Sequence, residues 1–278
     1  MLPNFIFIGP AKSGSTWLYE ALRLHPDVYV PEAKDIYFFD KNFEKGMEWY
    51  EGFFKHGAGK KAVGEVCHDY LFSADACERI KRHIPEVKLI TCLRSPVERS
   101  FSGYLFAVRQ GHAGRGVSLE DTVKKYPGIL KNSCYTEALG RYITAFGRSR
   151  ILILRFEDLE KDPLAFIARV YGFIGVDPGF RPVGILNRKI LPASRPRVRV
   201  LARLAKKTAL WLRAMGFANL VGTVKRSPAV QGVLYTPIEG EGRPRMAAKE
   251  KAFLRDYFKD EISSLERLLG EDLSAWRA

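Results

Sequence analysis

Lys12 stands in a run of small residues, Gly9-Pro10-Ala11-Lys12-Ser13-Gly14-Ser15-Thr16-Trp17, between the apolar Phe5-Ile6-Phe7-Ile8 and a stretch with Leu18, Ala21 and Leu22. A short buried strand, a small-residue turn and a helix N-terminus together make a phosphate cradle. The N–H groups of Ser13, Gly14, Ser15, Thr16 and Trp17 and the helix dipole converge on one spot, and Lys12 adds a point charge. Ser15 and Thr16 are of the type that caps such a helix. Gly9-x4-Gly14 has the glycine spacing of a P-loop, but Ser15 stands where that motif carries its Lys. The plain alternative is an ordinary Gly/Ser turn.

A second group of chemically able residues follows the apolar run Lys88-Leu89-Ile90-Thr91-Cys92-Leu93. Arg94 leaves the end of that expected strand, where α/β sheets place their ligands. Ser102 lies eight residues on, inside the helix that Pro96 begins. A guanidinium fork plus a hydroxyl suits a terminal phosphate. Taken singly, Arg94 pairing with Glu98 on the surface is the blander reading.

The elements that must hold these groups can be read from the apolar pattern. Strands are expected at 5–8, 28–30, 62–66, 88–93 and 150–154. Helices are expected after Ser15, over 73–83, from Pro96 through Phe106, and over 133–146, 163–174 and 247–269. The last should turn Phe253, Leu254, Tyr257, Ile262, Leu265 and Leu268 inward. Trp49, Tyr50, Phe53 and Phe54 read as a core face. Continuously apolar strands alternating with helices predict an α/β fold with a central parallel sheet buried on both faces, three layers in all.

The chain has 278 residues, 46% of them hydrophobic, and a formal net charge of +14. That excludes wholesale disorder and points to one domain of 1–278 with anionic partners. Residues 178–238 hold twelve Lys and Arg and no Asp or Glu, so they form a basic insertion. Within it, 197–215 reads as a basic amphipathic helix able to lie on an anionic membrane or line the approach of an anionic acceptor. Cys67, Cys77, Cys92 and Cys134 lack Cys-x-x-Cys spacing, which reads as a reducing compartment. With no signal peptide and no apolar run near ~20 residues, the expectation is a cytoplasmic protein, in part peripheral to a membrane.

The two motifs together resemble the sulfotransferases that use 3′-phosphoadenosine 5′-phosphosulfate (PAPS), nearest to their carbohydrate, heparan sulfate-type branch. Lys12-Ser13-Gly14-Ser15-Thr16-Trp17 matches the family's donor loop, and Arg94 with Ser102 its 3′-phosphate pair. His25-Pro26-Asp27-Val28 and Phe38-Phe39-Asp40 match the carbohydrate branch, and Gly64-Glu65 begins a segment lining the site. Two departures stand out: Val66 replaces a usual Lys, and Glu241 replaces the Lys of a nucleotide-closing loop, so Gly242 and Arg243 alone carry over there.

The resemblance implies a P-loop-like three-layer fold and metal-independent in-line transfer of a sulfuryl group from PAPS to a hydroxyl or amine. The acceptor would be a carbohydrate, a lipid-linked molecule or a small molecule; nucleic acid is not expected. Matching Phe38-Phe39-Asp40 to the family places Asp35 at its catalytic carboxylate. His68 is the rival base, since other branches use a His; Glu32 and Glu65 are the remaining candidates. Two other classes stay open: a P-loop kinase-like phosphotransferase, and a non-catalytic basic protein binding membrane or nucleic acid.

Overall fold

The computed structural model describes residues 1–110, 117–186 and 245–277, with 194–196, 208, 224 and 235–237 between them. Five strands, β1 (Phe5–Gly9), β2 (Val28–Tyr29), β3 (Ala62–Val66), β4 (Lys88–Leu93) and β5 (Ile151–Arg155), form one parallel sheet in the order β2-β3-β1-β4-β5. The α-helices whose bounds are described are, in chain order, α1 (Ser15–Leu24), α2 (Phe38–Lys41), α3 (Gly46–Glu51), α4 (Ala74–His83), α5 (Pro96–Arg109), α6 (Leu119–Lys125), α7 (Gly128–Lys131), α8 (Thr136–Phe146), α9 (Phe156–Lys161), α10 (Pro163–Ile174) and α11 (Ala248–Leu269).

The period-2 alternation of the strands builds the layers. Ile6, Ile8, Leu89, Leu93, Ile151 and Ile153 face a core shared with α4, α8 and α11. Phe5, Phe7, Ile90, Cys92 and Leu154 face the opposite core, shared with α1 and α10. A sheet covered on both faces is the three-layer arrangement that the apolar strands predict.

The order of the strands fixes where a ligand goes. From β1 the chain runs through α1 towards the β2 edge; from β4 it runs through α5 towards the β5 edge. The neighbours β1 and β4 therefore flank a topological switch point, whose crevice lies beyond their carboxyl ends. The loop after β1 carries Lys12, and the turn after β4 carries Arg94. The ladder between them shifts register at Phe7/Gly9, and Thr91 donates to the Gly9 carbonyl at 2.8 Å.

Three local expectations differ. Helix α8 starts at Thr136 rather than 133, because Glu261 of α11 reaches across to accept from the Tyr135 and Thr136 N–H groups at 2.6 and 2.8 Å. On α11 the inward stripe runs Leu254, Phe258, Ile262 and Leu265, whereas Tyr257 is 48% exposed. The aromatic stretch at 43–57 is broken into two 3-10 turns flanking α3, yet Tyr50, Phe53 and Phe54 are buried as expected. The bulk of the basic stretch, including 197–207 and 209–215, lies outside the described residues. Near its ends Ser194–Pro196 pairs antiparallel with Tyr235–Pro237. Among the described residues no helix is long and apolar enough to cross a membrane.

Candidate active site

The loop after β1 is built by close approach. Gly9 has φ +117°, and a Cβ there would meet the His68 carbonyl oxygen at 2.5 Å. Gly14, at φ +81°, is pressed against Leu159 and Phe156, where a Cβ would come within 2.9 Å. Gly14 is also the residue that opens α1, and among the described residues no side chain caps that helix. The cap expected from Ser15 and Thr16 is therefore absent, which leaves the first-turn N–H groups turned to the crevice. Ser13 is fully buried, and among the described residues its Oγ has no hydrogen-bond partner. A buried hydroxyl without a partner costs free energy unless a ligand supplies one. The loop thus fits a bound phosphate or phosphosulfate. The Trp17 side chain belongs to the core: its indole N–H donates to the Ile185 carbonyl at 3.2 Å.

Arg94 closes the crevice from the β4 side. It donates to the Lys12 carbonyl at 3.2 Å, pairs with Glu98 at 3.4 Å and lies over the Phe156 ring, 4.5 Å from its centroid. The bland pairing with Glu98 is real, and it coexists with a direct tie to the loop. Ser102 follows Glu98 by one helical turn on the same face of α5, and it is half-buried. One turn further, the Phe106 ring carries the Lys12 ammonium 3.6 Å from its centroid. Arg99, buried on the same helix, donates to Ala11 and Ile129 carbonyls and to Ser133 Oγ at 3.0–3.2 Å. Burial pushes its guanidinium down from the ordinary value. Arg94 and Arg99 therefore fix two successive carbonyls of the loop.

The two rival bases turn out to be partners. His68 Nδ1 lies 2.6 Å from Asp35 Oδ1, and Lys34 Nζ reaches both Asp35 oxygens at 3.0–3.1 Å. Burial alone would raise the Asp35 carboxyl, but the Lys34 ammonium and the His68 hydrogen bond outweigh it and hold it well below the usual carboxylate range. An ionised carboxylate only accepts, so Nδ1 donates to Asp35, and a neutral His68 then has Nε2 as its acceptor. Nε2 lies 3.3 Å from both the Tyr37 hydroxyl and Asp69 Oδ1. Asp35 and Tyr37 both adopt positive φ, 61° and 56°. Such backbone costs about 1–3 kcal/mol per residue and persists only where its surroundings over-determine it.

Of the other carboxylates, Glu32 pairs with Arg23 at 3.0 Å and stays 40% exposed. Glu65 is sealed under the hydroxyls of Tyr50 and Tyr70 at 2.7 and 2.9 Å. Burial pushes Glu65 up to about 8, against the lowering effect of those two hydrogen bonds. The folded chain then binds this proton more tightly than the unfolded chain, so stability falls as pH rises from about 4.5 to 8. Relative to the parent, Glu65→Gln should gain roughly 2–4 kcal/mol of stability between pH 5 and pH 8, read from paired denaturant melts. Equal pH slopes for the two proteins would remove this assignment.

The sulfotransferase-domain family model matches residues 2–187, about two thirds of the chain. The chain belongs to this family. It is 26% identical over 99% of its length to the bifunctional heparan sulfate N-deacetylase/N-sulfotransferase 4 of Mus musculus, and spans about a third of that relative's length (31%). Its fold is similar to the crystal structure of a sulfotransferase from Alicyclobacillus acidocaldarius, with TM-score 0.72, 23% identity and full coverage of both chains. It is also similar to a mouse sulfotransferase, SULT7A1, complexed with PAP, with TM-score 0.52, 13% identity and coverage of 95% and 84%.

In this sulfotransferase domain Lys12, Ser13, Gly14 and Arg94 come together beyond the carboxyl ends of β1 and β4, Ser102 lies on α5 between Glu98 and Phe106, and the His68 backbone stands against Gly9. Gly242 and Arg243 lie outside the described residues. Sequence reasoning passed over Arg99, Phe106, Phe156 and Tyr37. Two of these had a signal: Phe106 is one turn beyond Ser102, and Phe156 follows the end of a parallel strand as Arg94 does. Among the described residues no group of three or more His, Cys, Asp or Glu side chains could hold a metal ion.

Proposed function

We propose that this chain transfers the sulfuryl group of PAPS to a hydroxyl or amine of a carbohydrate acceptor, releasing adenosine 3′,5′-bisphosphate. The observation that carries the reading is the orphaned, buried Ser13 hydroxyl in a loop whose helix no side chain caps, set beside Arg94 at the switch point. Ser13, Gly14, Ser15 and Thr16 hold the 5′-phosphate through backbone N–H groups and hydroxyls. Arg94 and Ser102 hold the 3′-phosphate. Lys12 neutralises charge that grows on the bridging oxygen as the sulfur–oxygen bond breaks. His68 Nε2 takes the acceptor's proton, and Asp35 fixes the tautomer and balances the imidazolium. The protein's own cations do the charge neutralisation, so no metal is assigned a role.

The carbohydrate acceptor is supported by the similarity to a heparan sulfate N-deacetylase/N-sulfotransferase and by the charge of the chain. Twelve bases without a single acid across 178–238 suit a polyanionic glycan that is held while its next hydroxyl or amine reacts. Thermal shift tests the donor half. Adenosine 3′,5′-bisphosphate at a hundredfold excess over Kd should raise the melting temperature by about 5–10 °C, and ATP should not. The acceptor half is tested with labelled PAPS and three acceptors: de-N-sulfated heparin, a neutral glucan and a simple phenol. Label on heparin alone supports the reading; label on phenol alone overturns it. A vesicle-binding arm with anionic lipid tests whether 197–215 serves a membrane instead.

Arg94 gives a separate expectation. Arg94→Ala should weaken adenosine 3′,5′-bisphosphate by roughly 1.5–3 kcal/mol, as for a charged hydrogen bond. Adenosine 5′-monophosphate should lose much less. Calorimetry on both nucleotides checks this, and equal losses would move the 3′-phosphate elsewhere.

A further inference from the structure

Between the sheet and the Asp35–His68 pair lies a buried network that the transfer chemistry does not use. Glu65, on β3, is 1% exposed, and Tyr50 and Tyr70 are fully buried. Both tyrosines donate to the same carboxyl, Tyr50 to Oε2 and Tyr70 to Oε1. They differ in what else they touch. The Tyr70 oxygen also accepts from the Phe38 N–H at 2.8 Å and, more weakly, the Phe39 N–H at 3.3 Å. Those N–H groups begin α2, directly after the Asp35–Tyr37 turn. The Tyr50 ring stacks on Phe38, with centroids 4.4 Å apart, but no backbone hydrogen bond to the turn runs through its hydroxyl.

The turn needs an external hold. Asp35 and Tyr37 sit in left-handed backbone, which Asp tolerates better than most residues and the bulky Tyr does not. The Asp35 N–H donates to the Val66 carbonyl at 3.0 Å, and the Asn42 amide donates to the Ile36 and Tyr37 carbonyls at 2.9 and 3.3 Å. A further tie is the chain Glu65–Tyr70–Phe38. We infer that Glu65 and Tyr70 are positioning residues that set the Asp35–Tyr37 turn against His68, and that Tyr50 only completes the burial of the carboxyl. The inference rests on the reading of His68 and Asp35 as the proton-accepting pair.

Hydrogen-bond polarity sharpens it. The Tyr70 oxygen accepts from backbone, so its own proton goes to Glu65 Oε1. Tyr50 donates to the other oxygen, Oε2, and burial keeps a proton on the carboxyl near neutrality against both hydrogen bonds. A glutamine keeps the acceptor for Tyr70 in its carbonyl oxygen, and the Tyr50 hydroxyl turns to accept from its amide N–H. The carboxyl's charge is therefore dispensable and its acceptor at Oε1 is not.

The test compares Tyr70→Phe, Tyr50→Phe and Glu65→Gln in the full chain. Each tyrosine variant removes one buried hydroxyl from the same carboxyl. Histidine-labelled 15N NMR reads the His68 tautomer, with His68→Gln assigning the signal, and needs neither donor nor acceptor. The parent, Tyr50→Phe and Glu65→Gln should share one Nδ1–H signature, and Tyr70→Phe should show mixed tautomers. With labelled PAPS and de-N-sulfated heparin, Tyr70→Phe should lose about 10- to 100-fold in kcat, as for an ångström-scale misplacement. Its KM for PAPS should stay within twofold. Tyr50→Phe and Glu65→Gln should keep kcat within threefold.

A parental His68 signature in Tyr70→Phe, or equal change in both tyrosine variants, overturns the inference. If Tyr70→Phe does not fold, Glu65→Gln decides: a tenfold or larger loss of kcat, or an altered tautomer, overturns it, and parental behaviour supports it. If the parent itself transfers nothing, the functional reading fails while the NMR comparison still settles the positioning role.

Discussion

Lys12→Ala should lower kcat for sulfuryl transfer by about 10²–10³-fold, the loss usual for one preorganised charge aimed at a developing oxyanion. Donor affinity should change by less than about threefold. The asymmetry follows from where the charge appears. In bound PAPS the sulfate charge is spread over its terminal oxygens, whereas in the transition state it moves to the bridging oxygen beside the loop. An ammonium placed there binds the transition state better than the ground state, and only such an interaction raises kcat. The structure adds a reason for modest ground-state effects. The Lys12 ammonium rests on the Phe106 ring, 3.6 Å from its centroid, a favourable contact that competes with the donor for its charge. Single-turnover rates with labelled PAPS and calorimetry with adenosine 3′,5′-bisphosphate separate the two quantities. A proportionate loss of kcat and affinity would mean that Lys12 is a plain phosphate anchor.

The loop and the Arg94 turn were legible in sequence because both are local. Strand, small residues and helix start occur within about fifteen positions of the chain, and the apolar alternation that buries β1 and β4 also fixes which ends the loops leave. The parts that were not legible are those made by distant contacts. Asp35 and His68 are separated by 33 residues and read as competing alternatives; parallel pairing of β1 with β3 brings His68 to Gly9. The start of α8 escaped for the same reason, since its N–H groups are satisfied by Glu261 from α11 rather than by a local cap. Tyr257 was misplaced because adjacent Tyr257 and Phe258 fit the helical period almost equally well, and packing chose Phe258. Glu65 entered the sequence reading as a spare base. Nothing local announces the two tyrosines, 15 residues before it and 5 after, that seal it.

His68→Ala should reduce acceptor-dependent transfer by about 10²–10⁴-fold, the usual range for a general base. Binding of adenosine 3′,5′-bisphosphate should stay within twofold, because no nucleotide contact is assigned to the imidazole. Asp35→Asn should cost less, roughly 10- to 100-fold. Asn can still offer its carbonyl oxygen to Nδ1–H, but it cannot balance the imidazolium that forms when the proton arrives. Asp35 itself is a poor base: held well below the usual carboxylate range by Lys34 and His68, it stays ionised through the neutral range and has little affinity for a proton there. It therefore cannot supply a limb of the pH–rate profile near neutrality. Because the two side chains act as one unit across a 2.6 Å contact, their effects should not add. The double variant should transfer at about the rate of His68→Ala alone, since an orienting carboxylate has nothing left to orient. Rates for the parent, both single variants and the double variant, at saturating PAPS, complete the cycle. If Asp35→Asn is the more damaging change and His68→Ala keeps near-parental turnover, the proton goes to the carboxylate and the histidine is the supporting residue. Full additivity would instead mean that the two groups act at separate steps.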